Sequence, residues 1–230
     1  MLKTKGLIPT VIYLLFTGLI LFGFTFCGTS NDKVVDEGVI EYDSKVVDDN
    51  HPLAGLAPNS ATLKFKKDKF VIEMSTMGMF NTMFVCDLQT KTLTQMVKFM
   101  DVKQACIEDE KAIRKENDNY KLKIEETSDT KIIAGYKCNR LKVTMVNDPT
   151  IVFDAYYTKE MGMEAVNGLS PYSGVKGMLM QYRLRKMGME MQFTARSVKK
   201  AEVPDNSFDV PAYFKIVSQE EMKKFFDGLQ

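Results

Sequence analysis

From Gly38 onward apolar and polar residues alternate, a period of two that demands a sheet with one dry and one wet face. The late strands show it best. Met178, Met180, Tyr182 and Leu184 interleave with Gln181, Arg183 and Arg185, and a bend at Met187-Gly188 follows. Met189, Met191, Phe193 and Ala195 then interleave with Glu190, Gln192, Thr194 and Arg196. Phe70, Ile72 and Met74 share one side of an earlier strand, opposite Lys69, Val71, Glu73 and Ser75. Val39–Val47, Ala61–Lys66, Met83–Leu88 and Thr92–Phe99 also read as strands, the last two around a Gln89-Thr90-Lys91 turn. Tyr120-Leu122-Ile124, Leu141-Val143-Met145 and Ile151-Phe153-Ala155-Tyr157 complete the set. About nine strands with short links predict a strongly curved antiparallel sheet, a half-barrel. Met180, Tyr182, Met191 and Phe193 are expected inward, with Arg183, Arg185, Gln192 and Arg196 outward in water.

Helical signals are few. Ser218 with Glu221 forms a capping box, and Met222, Phe225, Phe226 and Leu229 make a stripe that must lie on an apolar face, predicted to be the concave one. Ile107–Asn119 is charged and reads as a short surface helix or loop, with Glu108-Asp109-Glu110 as a solvated face. His51–Ser60, holding Pro52 and Pro58, reads as a loop.

Ahead of the alternating body, Lys3 and Lys5 precede an uncharged apolar run from Leu7 to Phe26, and Cys27 and a small polar tract follow. This is the layout of an export signal. It resembles a bacterial lipoprotein signal, in which the cysteine is cleaved free and acylated; the other reading is an uncleaved apolar anchor of membrane-spanning length. The expected organisation is a signal over residues 1–26, a tether over 27–33 and a single half-barrel domain over 34–230. Cys86, Cys106 and Cys138 are left either to form one disulfide or to serve as buried thiols.

Thirty-one basic residues face thirty acidic ones, so no global field draws the chain to nucleic acid. His51 is the only histidine, which leaves Asp48-Asp49-Asn50-His51 as a minor candidate for a cation. There is no nucleophile elbow, zincin motif or phosphate loop, so neither an active site nor a cofactor is expected. An enzyme would have to depend on His51. Sixteen methionines, many on the apolar strand faces, suit either a gap-filling core or a surface that adapts to an apolar guest.

Several short stretches have a familiar order. Lys131-Ile132-Ile133-Ala134-Gly135-Tyr136-Lys137-Cys138 resembles the signature of a Bacteroidota lipoprotein family, the domain of unknown function numbered 4412. Ile40-Glu41-Tyr42 is similar to that family's opening strand and Tyr156-Tyr157-Thr158-Lys159-Glu160 to its middle motif. Gly174-Val175-Lys176-Gly177 is similar to its Gly-rich bend, and Phe208-Asp209-Val210-Pro211-Ala212-Tyr213 to its closing element. The resemblance spans about residues 36–216. It implies a fold similar to the lipoprotein carriers LolA and LolB, and brings no catalytic residues.

The expected function is a non-enzymatic, envelope-anchored module, facing the periplasm or the cell surface, on the outer membrane. Cys27 or the apolar segment would hold the membrane. The concave face would take a lipid or other hydrophobic ligand on Phe70, Ile72, Met74, Phe153, Met180, Tyr182, Met191 and Phe193. The alternative is a structural or protein-interaction domain whose core is filled.

Overall fold

A computed structural model describes residues 35–186 and 188–229. The predicted export signal, Cys27, the tether and Met187 of the late bend lie outside the described residues. The strands are β1 (Glu37–Val46), β2 (Ser60–Lys66), β3 (Lys69–Thr76), β4 (Phe80–Asp87), β5 (Thr92–Phe99) and β6 (Val102–Glu108). After helix α1 (Glu110–Asn117) come β7 (Leu122–Ile133), β8 (Tyr136–Met145), β9 (Val152–Thr158), β10 (Met178–Lys186) and β11 (Met189–Lys200). A two-residue β12 (Lys215–Ile216) and helix α2 (Gln219–Asp227) close the order.

All twelve strands form one sheet in the order β12-β6-β5-β4-β3-β2-β1-β11-β10-β9-β8-β7. Every pairing is antiparallel except that of β12 with β6. The sheet curls strongly but does not close. One contact measures the curl. Six strands separate β6 from β10, so a flat sheet would hold them about 34 Å apart. Yet Glu108 Oε2 of β6 lies 3.2 Å from Lys186 Nζ of β10. Parity explains why these two ends meet: Lys186 is in step with Tyr182 and Leu184, and Glu108 pairs with Leu93 behind Cys86, so both are turned to the concave side.

The alternation in sequence sets the faces. On β11, Met189, Met191, Phe193 and Ala195 are buried while Gln192 and Thr194 are half-buried and Arg196 is exposed. The largest core cluster lies on the concave side of β1, β2 and β8–β11, joined by Met161, Met163, Val166 and Tyr172 from the β9–β10 connection. A second lies on the concave side of β4–β6, where α2 sets Met222 and Phe226 against Phe80, Val97 and Cys106. The capping box that starts α2 forms as the sequence predicts: Glu221 N–H donates to Ser218 Oγ, and Ser218 N–H donates to a Glu221 carboxylate oxygen 2.9 Å away. A third cluster covers the opposite face of β3–β6, where Phe208, Val210 and Phe214 pack on Val71, Val85, Met96 and Ala105.

The stretch from Lys131 to Cys138 is the β7–β8 hairpin. Ile133 pairs with Tyr136 across Ala134-Gly135, both at positive φ (49° and 87°), the backbone a tight two-residue connection requires. Gly177, in the bend before β10, combines φ +133° with a virtual Cβ only 2.3 Å from Thr158 O, so no side chain fits there.

Three sequence expectations change. Twelve strands replace about nine: β6 and the short β12 lie outside the expected set, and β6 runs through Ile107 and Glu108, which the sequence predicts as surface helix or loop. Glu108-Asp109-Glu110 is not a uniform solvated face: Glu108 is buried, Asp109 caps α1 by accepting from Ala112 N–H at 2.8 Å, and Glu110 meets Lys91 and Arg114. Cys86, Cys106 and Cys138 are all buried and unpaired, which resolves the open choice in favour of thiols. Burial, with Asp87 beside it, pushes the Cys86 thiol up to about 12; burial takes Cys138 to about 11. Neither is a nucleophile.

Candidate functional site

The concave face is not filled. A cavity of about 170 Å³ lies over β1–β4, β10 and β11, beneath a cover made by α1, Tyr120 and residues 166–172. Its walls are mostly apolar: Leu63, Phe70, Ile72 and Met74 from β2 and β3, Phe80 and Phe84 from β4, and Tyr182, Leu184, Met189, Met191 and Phe193 from the late hairpin. The cover adds Ile113, Val166, Leu169 and Tyr172.

Six of the eight predicted lining residues are therefore brought together: Phe70, Ile72, Met74, Tyr182, Met191 and Phe193. Met180 and Phe153 are not among them. Leu179 pairs with Tyr157 and Gln181 with Tyr156, so Met180 is the extra residue of a β-bulge and is buried entirely in the core. A strict period of two cannot anticipate that step. Phe153 lies beneath the guanidinium of Arg183, 4.7 Å from ring centre to Cζ. The β9–β10 register ends at Tyr156 and Gln181. Beyond it the Tyr172 hydroxyl donates to Arg183 C=O at 2.8 Å and accepts from its N–H at 3.4 Å. The Arg183 side chain is thus half-buried against Phe153 rather than fully in water. Arg185 is exposed as expected, with its guanidinium over the Tyr120 ring at the border of the cavity.

Four buried aromatic rings stand together on the wall. Tyr182 is stacked on Phe193 at 5.2 Å and meets Tyr42 and Tyr172 edge-on at 5.9 and 6.2 Å. Burial raises the phenol of each of these tyrosines, so all three stay neutral. The Tyr42 hydroxyl donates to Leu179 C=O at 2.8 Å. Most other polar groups on the lining are engaged as well. Asn117 Nδ2 donates to Leu169 C=O, Asn167 Nδ2 to Val175 and Gly177 C=O, and the Tyr120 hydroxyl to Glu190. Ser170 Oγ donates to Asn167 C=O. Lys186 meets Glu108 and Glu116, and Arg185 meets Glu190 at 3.2 Å. The charges of the rim are mutually neutralised.

Sequence reading did not find the cover. Ile113, Leu169 and Tyr172 come from segments without a regular period, and Tyr120, expected to open a strand, instead ends a 3-10 turn (Asp118–Tyr120) ahead of β7; only their contact with the sheet reveals them. His51 is half-buried in its loop, where Nδ1 accepts from Leu53 N–H at 3.2 Å. Among the described residues no group of three or more His, Cys, Asp or Glu side chains is placed to hold a metal ion, and no helix is long and apolar enough to cross a membrane.

No family model and no curated protein matches the chain. Among solved structures it is similar to PNGF-II in two crystal forms: 15% identity over 84% of this chain with a TM-score of 0.50, and 14% over 83% with 0.49. The chain spans about a third of the PNGF-II chain, 34% in the first form. A structure of the Pseudomonas aeruginosa MucA/MucB complex matches at 10% identity, over 79% of this chain and 58% of that one, with a TM-score of 0.34. At these identities the PNGF-II likeness speaks for the fold alone.

Proposed function

We propose that this protein is a non-enzymatic module of the cell envelope that binds a lipid or other hydrophobic ligand in its concave face. The observation that carries the reading is the covered apolar cavity, because a sheet that only needed a core would have closed on it. Magnitude limits the guest. About 170 Å³ compares with the roughly 150 Å³ that accepts a benzene molecule and falls short of the roughly 300–1,000 Å³ of drug-sized pockets. The resting cavity suits a slim or short apolar group; a longer chain requires Met74, Met189 and Met191 to change rotamer, which methionine does at little cost. Burial of ligand surface at about 25 cal/mol per Å² supplies the affinity.

Native mass spectrometry of the exported protein, purified without detergent, should show a co-purifying apolar ligand. The neutral dye N-phenyl-1-naphthylamine should gain fluorescence on binding, and Ile72→Trp, which fills the cavity, should weaken it about tenfold or more. A ligand-free mass together with a silent dye would overturn the reading in favour of a structural or protein-interaction domain.

The apolar leader and the motif order support an exported lipoprotein of the Bacteroidota family that the sequence resembles, on the outer membrane and facing the periplasm or the surface. Cells fed radioactive palmitate should label the protein, and Cys27→Ser should abolish the label. Undiminished labelling of that variant would remove the lipid anchor from the proposal.

A further inference from the structure

Two hydroxyls on the cavity wall stand apart from the other polar groups there. Tyr182 is 6% exposed and Thr82 is 4% exposed, and both line the cavity. Neither hydroxyl has a hydrogen-bond partner among the described residues, whereas the hydroxyls of Tyr42 and Tyr172, which flank Tyr182, both do. Neither Tyr182 Oη nor Thr82 Oγ1 is among the fully enclosed unpartnered atoms of the described residues, Gln104 Oε1 and Arg140 Nε, so both keep surface open to the cavity, where a tyrosine hydroxyl ordinarily finds a partner. A buried water is a poor substitute, since it needs two to four polar partners. The rings of Tyr42, Tyr172 and Phe193 enclose Tyr182 instead.

We infer that the Tyr182 hydroxyl is the polar anchor for a neutral apolar ligand that carries a carbonyl or hydroxyl oxygen, with the Thr82 hydroxyl a second polar point on the same lining. The inference rests on the reading of the cavity as a ligand site and adds the chemical class of the guest. Neutrality follows from the charges. Lys186 and Arg185 are the cations on the lining and both are already paired with carboxylates, so an ionised head group would enter without a free counter-ion. Tyr182 supplies a neutral phenol, which donates to a carbonyl oxygen or exchanges hydrogen bonds with an alcohol. The rest of the wall asks only for hydrocarbon.

The test pairs heptane with 2-heptanone as competitors for N-phenyl-1-naphthylamine on the purified full chain, using the parent, Tyr182→Phe and Thr82→Val. Heptane is the internal reference, which cancels partitioning and small changes in cavity shape. Tyr182→Phe should weaken 2-heptanone about tenfold and leave heptane within about twofold. Thr82→Val should act in the same direction. Thermal unfolding gives an independent reading. Tyr42→Phe and Tyr172→Phe should each lower Tm by about 2–4 °C through loss of a bonded hydroxyl, whereas Tyr182→Phe should not lower it. If both competitors bind and the ketone is unaffected by either variant, the anchor is overturned and the apolar cavity survives. A Tm loss in Tyr182→Phe equal to that of its neighbours also overturns the anchor. If neither competitor nor dye binds the parent, the ligand reading fails and takes the anchor with it.

Discussion

Met180→Asp is expected to abolish cooperative folding, or to lower the unfolding free energy by about 4 kcal/mol or more. Met180 has no exposed surface and sits at the bulge of β10 inside the largest core cluster. A carboxylate there loses its hydration and gains no cation, one of the few single changes that reaches this size. Arg196→Asp is the matched control. Arg196 lies on the wet face of β11, 58% exposed, with a solvent-exposed partner in Asp43, so the change should leave the denaturation midpoint nearly unmoved. Urea unfolding followed by circular dichroism compares the two. Equal losses would count against this assignment of faces, and a larger loss in Arg196→Asp would mean that the inward and outward sides of the late hairpin are interchanged. Arg183 would be a poor control: its guanidinium covers Phe153 and its backbone holds Tyr172.

Much of this fold can be read from alternation because each strand has one buried side and adjacent strands must agree. Met191 and Phe193 are placed correctly by parity alone, and so are Phe70, Ile72 and Met74. Two physical events break the rule. A bulge adds a residue without altering composition, so Met180 keeps its burial but leaves the cavity wall. Long-range charge pairing then inverts the expected polarity at the end of β6, where Ile107 is exposed and Glu108 is buried. The sequence around Glu108 looks solvated because its cation, Lys186, is 78 residues away. The cover is illegible for a third reason. Tyr172 and Tyr120 are positioned by hydrogen bonds to Arg183 and Glu190, and no local pattern encodes those partners.

The same charge pair yields the second large effect. Lys186→Met should destabilise the domain by about 3 kcal/mol, because Glu108, whose side chain is 7% exposed, would be left as a buried carboxylate without its cation. Lys186 is itself only 17% exposed and also reaches Glu116 of α1, so it ties β6, β10 and the helical cover together across the open side of the curl. Losing it should speed hydrogen exchange at the amides of Glu110–Asn117 more than at those of β1 or β2, which are paired on both sides. The double variant Lys186→Met/Glu108→Gln separates the charge from the packing. With the carboxylate neutralised, most of the lost stability should return, while the exchange of α1 should stay fast because the tie to Glu116 is still missing. A single variant as stable as the parent would show that the pair does not clasp the sheet. A double variant no better than the single one would show that the loss comes from the lysine's hydrocarbon stem rather than from the stranded charge.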